Sequence, residues 1–467
     1  MNQGYRFLLA MLLAAALAGC SLAPNYARPE SPVGGDWPEK GAGSASAEPV
    51  SEMAWRTFFT NATLQRLIGD ALANNRDLRV AALNMERAAA QYRIQRADRL
   101  PTVGLSGDHA SQRVAEDLSL RGGSYIGRQY TVGLGVSGFE LDFFGRVKSL
   151  SDAALEQYFA SEEAHRAARL ALVSQVAAGW LQLLADREQL AISRETLASQ
   201  QASYGMIKSR YEHGVSSRLD LWQAQSSVDT ARANIARYTG QIAEDINALS
   251  ILVGRQVSGD EIPERTLSEA ENFPALQAGL PSDVLLGRPD ILMQEHLLRA
   301  ANANIGAARA NFFPRITLTG ALGRGSVELD NLFDAHNGTW LFSPSISLPI
   351  FDMGRNLARL RASEKDRDIA VANYEKSIQQ AFREVADSLT LRRTLEEQLA
   401  ARLSLVRATT ESYRLSNARY QSGVDSYLSV LVTQREMFAA QLASVAVRLA
   451  RDVNLVTLYK ALGGGWK

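Results

Sequence analysis

Cysteine is almost missing, with Cys20 the only one in a chain of 467 residues. An internal disulfide framework and any cysteine-based zinc cluster are thereby excluded. The five histidines, His109, His165, His213, His296 and His336, show neither ligand spacing nor a catalytic partner. A surplus of one charge is missing too: Lys+Arg and Asp+Glu each number 50, so no basic excess invites nucleic acid. Beyond the first twenty positions no run of eighteen apolar residues is present, which argues against membrane-spanning helices. No Gly-x-x-x-x-Gly-Lys phosphate loop is present. Gly133, Gly135 and Gly138 do match Gly-x-Gly-x-x-Gly, yet apolar residues continue through Phe139 and Leu141 instead of opening a helix, so no dinucleotide site follows. Neither a cofactor nor an enzymatic reaction is expected.

What is present begins with an export signal. Arg6 precedes an apolar stretch from Phe7 to Leu17 that is too short to span a bilayer. Leu17-Ala18-Gly19-Cys20 resembles a bacterial lipobox, in which Cys20 becomes the acylated first residue of the mature chain. Ser21 in the next position favours the outer membrane. Each buried methylene of an acyl chain contributes about 0.8 kcal/mol, so several chains hold a protein to a leaflet without crossing it. Residues 1–19 are thus a signal peptide. Residues 20–60, rich at first in Pro, Gly, Ser and Ala, read as an extended tether leading into a belt region.

Sliding the chain against itself exposes a duplication. Arg96-Ala97-Asp98-Arg99-Leu100-Pro101 matches Arg309-Ala310-Asn311-Phe312-Phe313-Pro314. Phe144-Gly145-Arg146 matches Met353-Gly354-Arg355, and Tyr211-Glu212-His213-Gly214-Val215 matches Tyr420-Gln421-Ser422-Gly423-Val424, both pairs 209 positions apart. Gly254 and Gly463 keep that offset, so the register holds without insertion from Gly145 onward. The division is a first repeat over 61–253 with a hairpin at about 102–142, an equatorial linker over 254–288, and a second repeat over 289–467 with a hairpin at about 315–351.

Proline, which costs about 3 kcal/mol inside a helix, is absent from Thr102 to Ile262 and after Pro349. Arg355 to Gln421 also lacks glycine and predicts one helix of about 67 residues. Phe382, Val385, Leu389, Leu399, Leu403, Val406, Tyr413 and Tyr420 form its seam. In the first copy Leu183, Leu190, Leu197, Tyr204 and Tyr211 recur at strict sevens, the spacing of coiled-coil packing. Shorter helices are expected over Asp77–Leu100, Val215–Val253, Asp290–Phe313 and Val424–Leu462, stacked in pairs beside the long ones, with the 254–289 segment forming a belt at the junctions.

After each proline the period becomes two. Val103 and Leu105, then Tyr130, Val132, Leu134 and Val136, define one face in the first copy. In the second, Ile316, Leu318 and Leu322 are followed by Trp340, Phe342, Ile346 and Leu348. Each run is about ten residues, the length of a tilted membrane-spanning strand. Lipid tolerates no open sheet edge, and single-chain barrels need about eight strands. Four strands per chain therefore require several chains, eight strands from two or twelve from three.

The duplicated unit, Arg288-Pro289-Asp290, the run from Ile305 to Gly320, Phe139-Glu140-Leu141-Asp142-Phe143-Phe144-Gly145-Arg146 and Leu348-Pro349-Ile350-Phe351-Asp352-Met353-Gly354-Arg355 together resemble the TolC-type outer membrane factors, especially their acylated, NodT-type efflux branch. The resemblance covers essentially the whole chain. It implies a mainly α fold in which a homotrimer forms a twelve-stranded β-barrel continuous with a helical barrel in the periplasm. It also implies a periplasmic adaptor and a proton-driven inner-membrane pump of the resistance-nodulation-division class as partners, with outer-membrane lipid around the strands. Gly214-Val215 and Gly423-Val424 would be the tips that meet the adaptor. Some family members carry acids after the second tip where this chain has Ser429 and Val432, so the gate is assigned instead to Asp220, Asp425, Leu428 and Arg435. Competing readings are a conduit for type I protein secretion, a coiled-coil envelope lipoprotein, which has no use for bilayer-length strands, and an envelope hydrolase, which lacks a catalytic constellation.

Overall fold

The computed structural model describes residues 21–38, 50, 53–119, 122–269, 273, 274, 276, 278 and 281–465. The signal peptide, Cys20 and residues 39–49 of the tether lie outside the described residues. In chain order the elements are α1 (Trp55–Phe58), α2 (Ala62–Asn74), α3 (Arg76–Ala97), β1 (Val103–Val114), β2 (Tyr125–Glu140), α4 (Arg146–Glu212) and α5 (Arg218–Val253), followed by α6 (Pro281–Leu286), α7 (Pro289–Ala310), β3 (Arg315–Ser326), β4 (Gly338–Ser347), α8 (Arg355–Gln421) and α9 (Tyr427–Ala461). Both long helices, α4 and α8, are 67 residues long. By contacts the chain divides into two compact units.

One unit, drawn from residues up to Glu30, Asn84–Ser161 and Met293–Tyr374, holds the sheet. Its four strands are antiparallel in the order β1-β2-β3-β4, so β1 and β4 are the two edges. The register puts Leu105, Leu134, Leu322 and Trp340 in one row across the sheet and Val103, Val136, Gly320 and Phe342 in the next. The alternate rows hold Ser106, Gly133, Gly323 and Thr339, then Gly104, Gly135, Ala321 and Leu341. Period-two alternation has thus produced one apolar face and one face that, Leu341 apart, carries small and polar side chains. The alternation slips once. Two residues of β2, Ser137 and Gly138, stand against Thr319 alone, a β-bulge in which Gly138 adopts φ +64° and donates its N–H to Thr319 Oγ1 at 3.1 Å. The bulge returns Phe139 to the apolar face, opposite Leu318, and puts Glu140 on the polar face, opposite Thr317. The third glycine of the apparent dinucleotide motif is therefore a bulge residue.

The second unit comprises Ser31–Leu83, Glu162–Leu292 and Glu375–Lys467. Its core includes Phe58, whose ring stacks on Tyr459 at 4.1 Å and on Phe273 at 5.3 Å, while the Tyr459 hydroxyl donates to the Met53 carbonyl at 2.7 Å. The linker is pinned to the long helices at several points. Glu188 on α4 accepts from the Ser268 N–H and from Arg448 of α9, and Arg392 on α8 donates to the Leu276 carbonyl. Arg288 is buried, pairs with Asp290 at 2.7 Å and Glu384 at 2.8 Å, and donates to the Ala461 carbonyl, supplying a partner to an otherwise orphaned carbonyl at the end of α9. The Arg288-Pro289-Asp290 motif is structural.

The strict-sevens seam of α4 requires correction. Leu183 and Leu190 are buried, but Leu197 and Tyr204 are only partly so and Tyr211 is exposed; the buried sevens become Ser193, Gln200 and Ile207. A helix of 3.6 residues per turn drifts about 20° per heptad away from a seven-residue repeat, so the buried stripe moves to a neighbouring column. Part of α4 is also apolar enough to pass for a membrane span; over half of that window is buried in the protein.

Candidate functional site

The two reversals between long and short helices have one backbone design. At the end of α4 the Val215 N–H donates to the Arg210 carbonyl at 2.8 Å and the Gly214 N–H to that of Tyr211 at 2.9 Å. At the end of α8 the Val424 N–H donates to Arg419 at 2.9 Å and the Gly423 N–H to Tyr420 at 3.0 Å. Each is a Schellman cap closed by a left-handed glycine, Gly214 at φ +73° and Gly423 at φ +76°. Val215 and Val424 follow the caps and are exposed. Both turns belong to the second unit, where Ile207, Ala224, Tyr420, Tyr427, Val430 and Leu431 form a buried cluster drawn from α4, α5, α8 and α9. Tyr204, Leu221 and Tyr413 pack against it.

The four residues assigned to a gate do not form one group. Asp220 serves the helix start: Ser217 Oγ accepts from its N–H at 3.0 Å and its carboxylate accepts from the Ser217 N–H at 3.1 Å, a reciprocal capping box. Partial burial would raise its pKa, but the hydrogen bonds from Ser217 and Ser216 outweigh this and hold it below the usual aspartate range. Asp425 is gripped in a fork by Arg419, at 2.6 Å to Nε and 3.0 Å to Nη2, and the guanidinium depresses its pKa. Leu428 is 53% exposed in the single chain, and Arg435 is exposed and near enough to Tyr427 to oppose the rise of its phenol.

Sequence reasoning missed Tyr427, which extends the Tyr413 and Tyr420 spacing of seven across the glycine turn. Burial, with Tyr420 and Tyr413 beside it, pushes its phenol up to about 12. Above the tip a polar layer joins three helices: Tyr413 and Ser199 hydroxyls lie 3.1 Å apart, and Gln434 Nε2 donates to Ser199 Oγ at 3.0 Å.

The segment from Leu22 to Arg28 is not a free tether. In the sheet-bearing unit the Leu22 carbonyl accepts from Arg309 at 3.3 Å and the Pro24 carbonyl from Asn302 at 2.7 Å. Tyr26 and Arg28 close on Glu295, at 3.1 Å from the hydroxyl and 2.8 Å from the guanidinium. Burial alone would raise the Glu295 carboxyl, but Arg28 and Arg299 hold it below its usual range. A side chain at Gly306 would lie 2.7 Å from the Ala23 nitrogen, so this glycine is the groove that admits the strap. The strap runs antiparallel to α7 and delivers its first residues to the helix end that leads into β3.

A sheet with one apolar face and two open edges, joined to paired 67-residue helices, defines a channel-forming protein of the outer membrane. Residues 67–255 and 280–464 match the outer membrane efflux protein family. The chain is 48% identical over 453 residues to the toluene efflux pump outer membrane protein TtgC of Pseudomonas putida, covering 96% of this chain and 93% of that one. It has the same identity and coverage with the antibiotic efflux pump outer membrane protein ArpC of Pseudomonas putida. The open state of the Neisseria gonorrhoeae MtrE outer membrane channel superposes with a TM-score of 0.88 at 38% identity, covering 96% of this chain and 99% of that one. The chain belongs to the outer membrane efflux protein family. It has the mainly α efflux-channel fold expected from the sequence, and its place is the outer membrane.

Proposed function

We propose that three copies of this chain pool their strands into a twelve-stranded barrel and their helices into a periplasmic helical barrel, giving passive passage outward to drugs or other small toxic molecules. The observation that carries the reading is the sheet: four strands of 10 to 16 residues, apolar on one face and small or polar on the other, with β1 and β4 open at the edges. In lipid such edges must be closed, and pairing each β4 with the β1 of the next chain closes them. Twelve strands leave a passage, whereas eight give an interior that side chains fill or that holds one small ligand. Energy comes from a proton-driven inner-membrane pump of the resistance-nodulation-division class, linked through a periplasmic adaptor. The relatives named for toluene and for antibiotics at the same 48% identity support a broad range of small cargo.

The tips Gly214-Val215 and Gly423-Val424 dock the adaptor, and their exposed valines supply apolar contact. Leu428, meeting its symmetry mates, forms the constriction; Asp220 and Asp425 shape the turns that hold it, with Arg435 nearby. Cys20 carries lipid, and the strap along α7 sets where that lipid enters the leaflet. The test is chemical crosslinking of the detergent-extracted protein together with conductance in planar bilayers. A trimer that conducts, and conducts more as Leu428→Ala, is expected; a monomer whose hairpins are accessible to water would overturn the reading.

A further inference from the structure

At the foot of the sheet, on its polar face, lies an open cavity of about 680 Å³ whose lining includes Glu140, Arg146, Arg315, Asp352, Arg355 and Arg359. Its acids are all engaged. Glu140 accepts from Arg146 at 2.7 Å and from Arg315 at 2.6 Å. Asp352 caps α8 by accepting from the Asn356 N–H at 2.9 Å, and Asp142, also on the wall, caps α4 through the Lys148 N–H at 2.7 Å. Arg355 and Arg359 are exposed, and among the described residues neither guanidinium has an ion-pair or hydrogen-bond partner.

This arrangement runs against local stability. Two arginines four apart on one helical face repel, and a cation at a helix start opposes the dipole, each by a few tenths of a kcal/mol. Asp352 caps the start of α8, but the first turn itself holds no acid and, among the described residues, neither arginine pairs with one. In the first repeat the matching Arg146 is neutralised by Glu140, but 209 positions on from Glu140 stands Pro349, and the counterpart of Arg359 is Leu150. The charge has been left uncompensated in one copy only. Guanidinium groups present forked donors that fit the oxygens of carboxylates and phosphates.

We infer that Arg355 and Arg359 form a binding site for anionic groups on solutes in transit, repeated three times around the passage. The inference rests on the proposed passage, because it is the polar face that solutes would pass. It is tested by measuring pyrophosphate block and chloride-over-potassium selectivity of the reconstituted full-length protein, compared with Arg355→Gln/Arg359→Gln, in phosphatidylcholine and in phosphatidylglycerol bilayers. In parallel, pyrophosphate binding to both proteins in detergent is followed calorimetrically. Removal of two charge-assisted contacts should raise the half-blocking concentration and the dissociation constant about tenfold and lower the preference for chloride. Block and binding unchanged in the double variant would overturn the site. Loss of block in phosphatidylglycerol alone would overturn it as a solute site and give it to a lipid headgroup. If wild type fails to conduct yet binds pyrophosphate through these arginines, the passage is rejected and the anion site stands.

Discussion

The two repeats share a backbone and differ in what their charges do. Arg210 and Arg419 occupy matching positions, yet Arg210 lies over the Tyr420 ring at 5.1 Å while Arg419 grips Asp425. Ser217 heads a capping box, whereas the matching Ser426 makes no side-chain cap, its partner position holding Ser429 instead of an acid. Farther along, Asp186 and Asp245 face each other across α4 and α5. Their counterparts are Leu395 and Asn454, both buried, with Asn454 donating to the Ser388 carbonyl at 2.9 Å. Duplication has kept the geometry that builds the helical pairs and released the electrostatics to specialise.

The largest effect is expected at the shared geometry. Replacing both Gly214 and Gly423 by leucine forces two branched side chains into left-handed backbone, at roughly 1–2 kcal/mol each, and alters both tips. Adaptor crosslinking and resistance to exported compounds should fall together, while unchanged values in both assays would break the symmetry of the docking role.

The carboxylate pair comes next. Burial, followed by hydrogen bonding and repulsion from Asp186, raises Asp245 to about 7. An elevated folded pKa means that the stabilising proton is lost as pH rises, so stability should decline between about pH 4, where aspartate titrates when unfolded, and about pH 7. Asp245→Asn should therefore protect α5 amides from hydrogen exchange at pH 8 and change little at pH 5; a variant that behaves alike at both would remove the pair from this comparison.

Smaller again is the cap. Ser217→Ala should destabilise the start of α5 by about 1 kcal/mol, whereas Ser426→Ala should leave the start of α9 nearly unchanged. Thermal unfolding with local exchange at the two helix starts checks the difference, and equal losses would mean that Ser426 caps after all. The smallest effect belongs to Arg419 and Asp425, both in solvent. Because the folded pKa of Asp425 is depressed, the clamp persists at neutral pH and opens only as pH falls below the ordinary aspartate value of about 4. A spin label at Ser422 should gain mobility there, and one at His213 should not.

Much of this was legible in the chain. Helix α8 runs from Arg355 to Gln421 because no proline or glycine interrupts it, and the four strands follow directly from apolar alternation. The tips were readable because glycine after a long helix marks a left-handed cap. The buried column of α4 was not, because a small drift per heptad accumulates over 67 residues. The strap was hidden for another reason: it is held largely through its own backbone carbonyls, which accept from Arg309 and Asn302, and by the groove at Gly306, and these leave no pattern in the strap's residue types. The roles of Asp220 and Asp425 depended on which neighbour each side chain reached, and both reach residues within six positions instead of the axis of a pore.

The bulge at Gly138 sets a frame of reading for everything that follows it in β2. If regular pairing ran on from Val136 without the bulge, Phe139 would fall opposite Thr317 on the polar face and Glu140 opposite Ile316 on the apolar one, taking their shared counter-ion away from Arg146 and Arg315 in one step. Conformation there is under tighter control than length: deleting Ser137 or Gly138 leaves Phe139 opposite Leu318, whereas a β-branched residue at Gly138, which resists left-handed backbone, should be more damaging than most substitutions in the same strand.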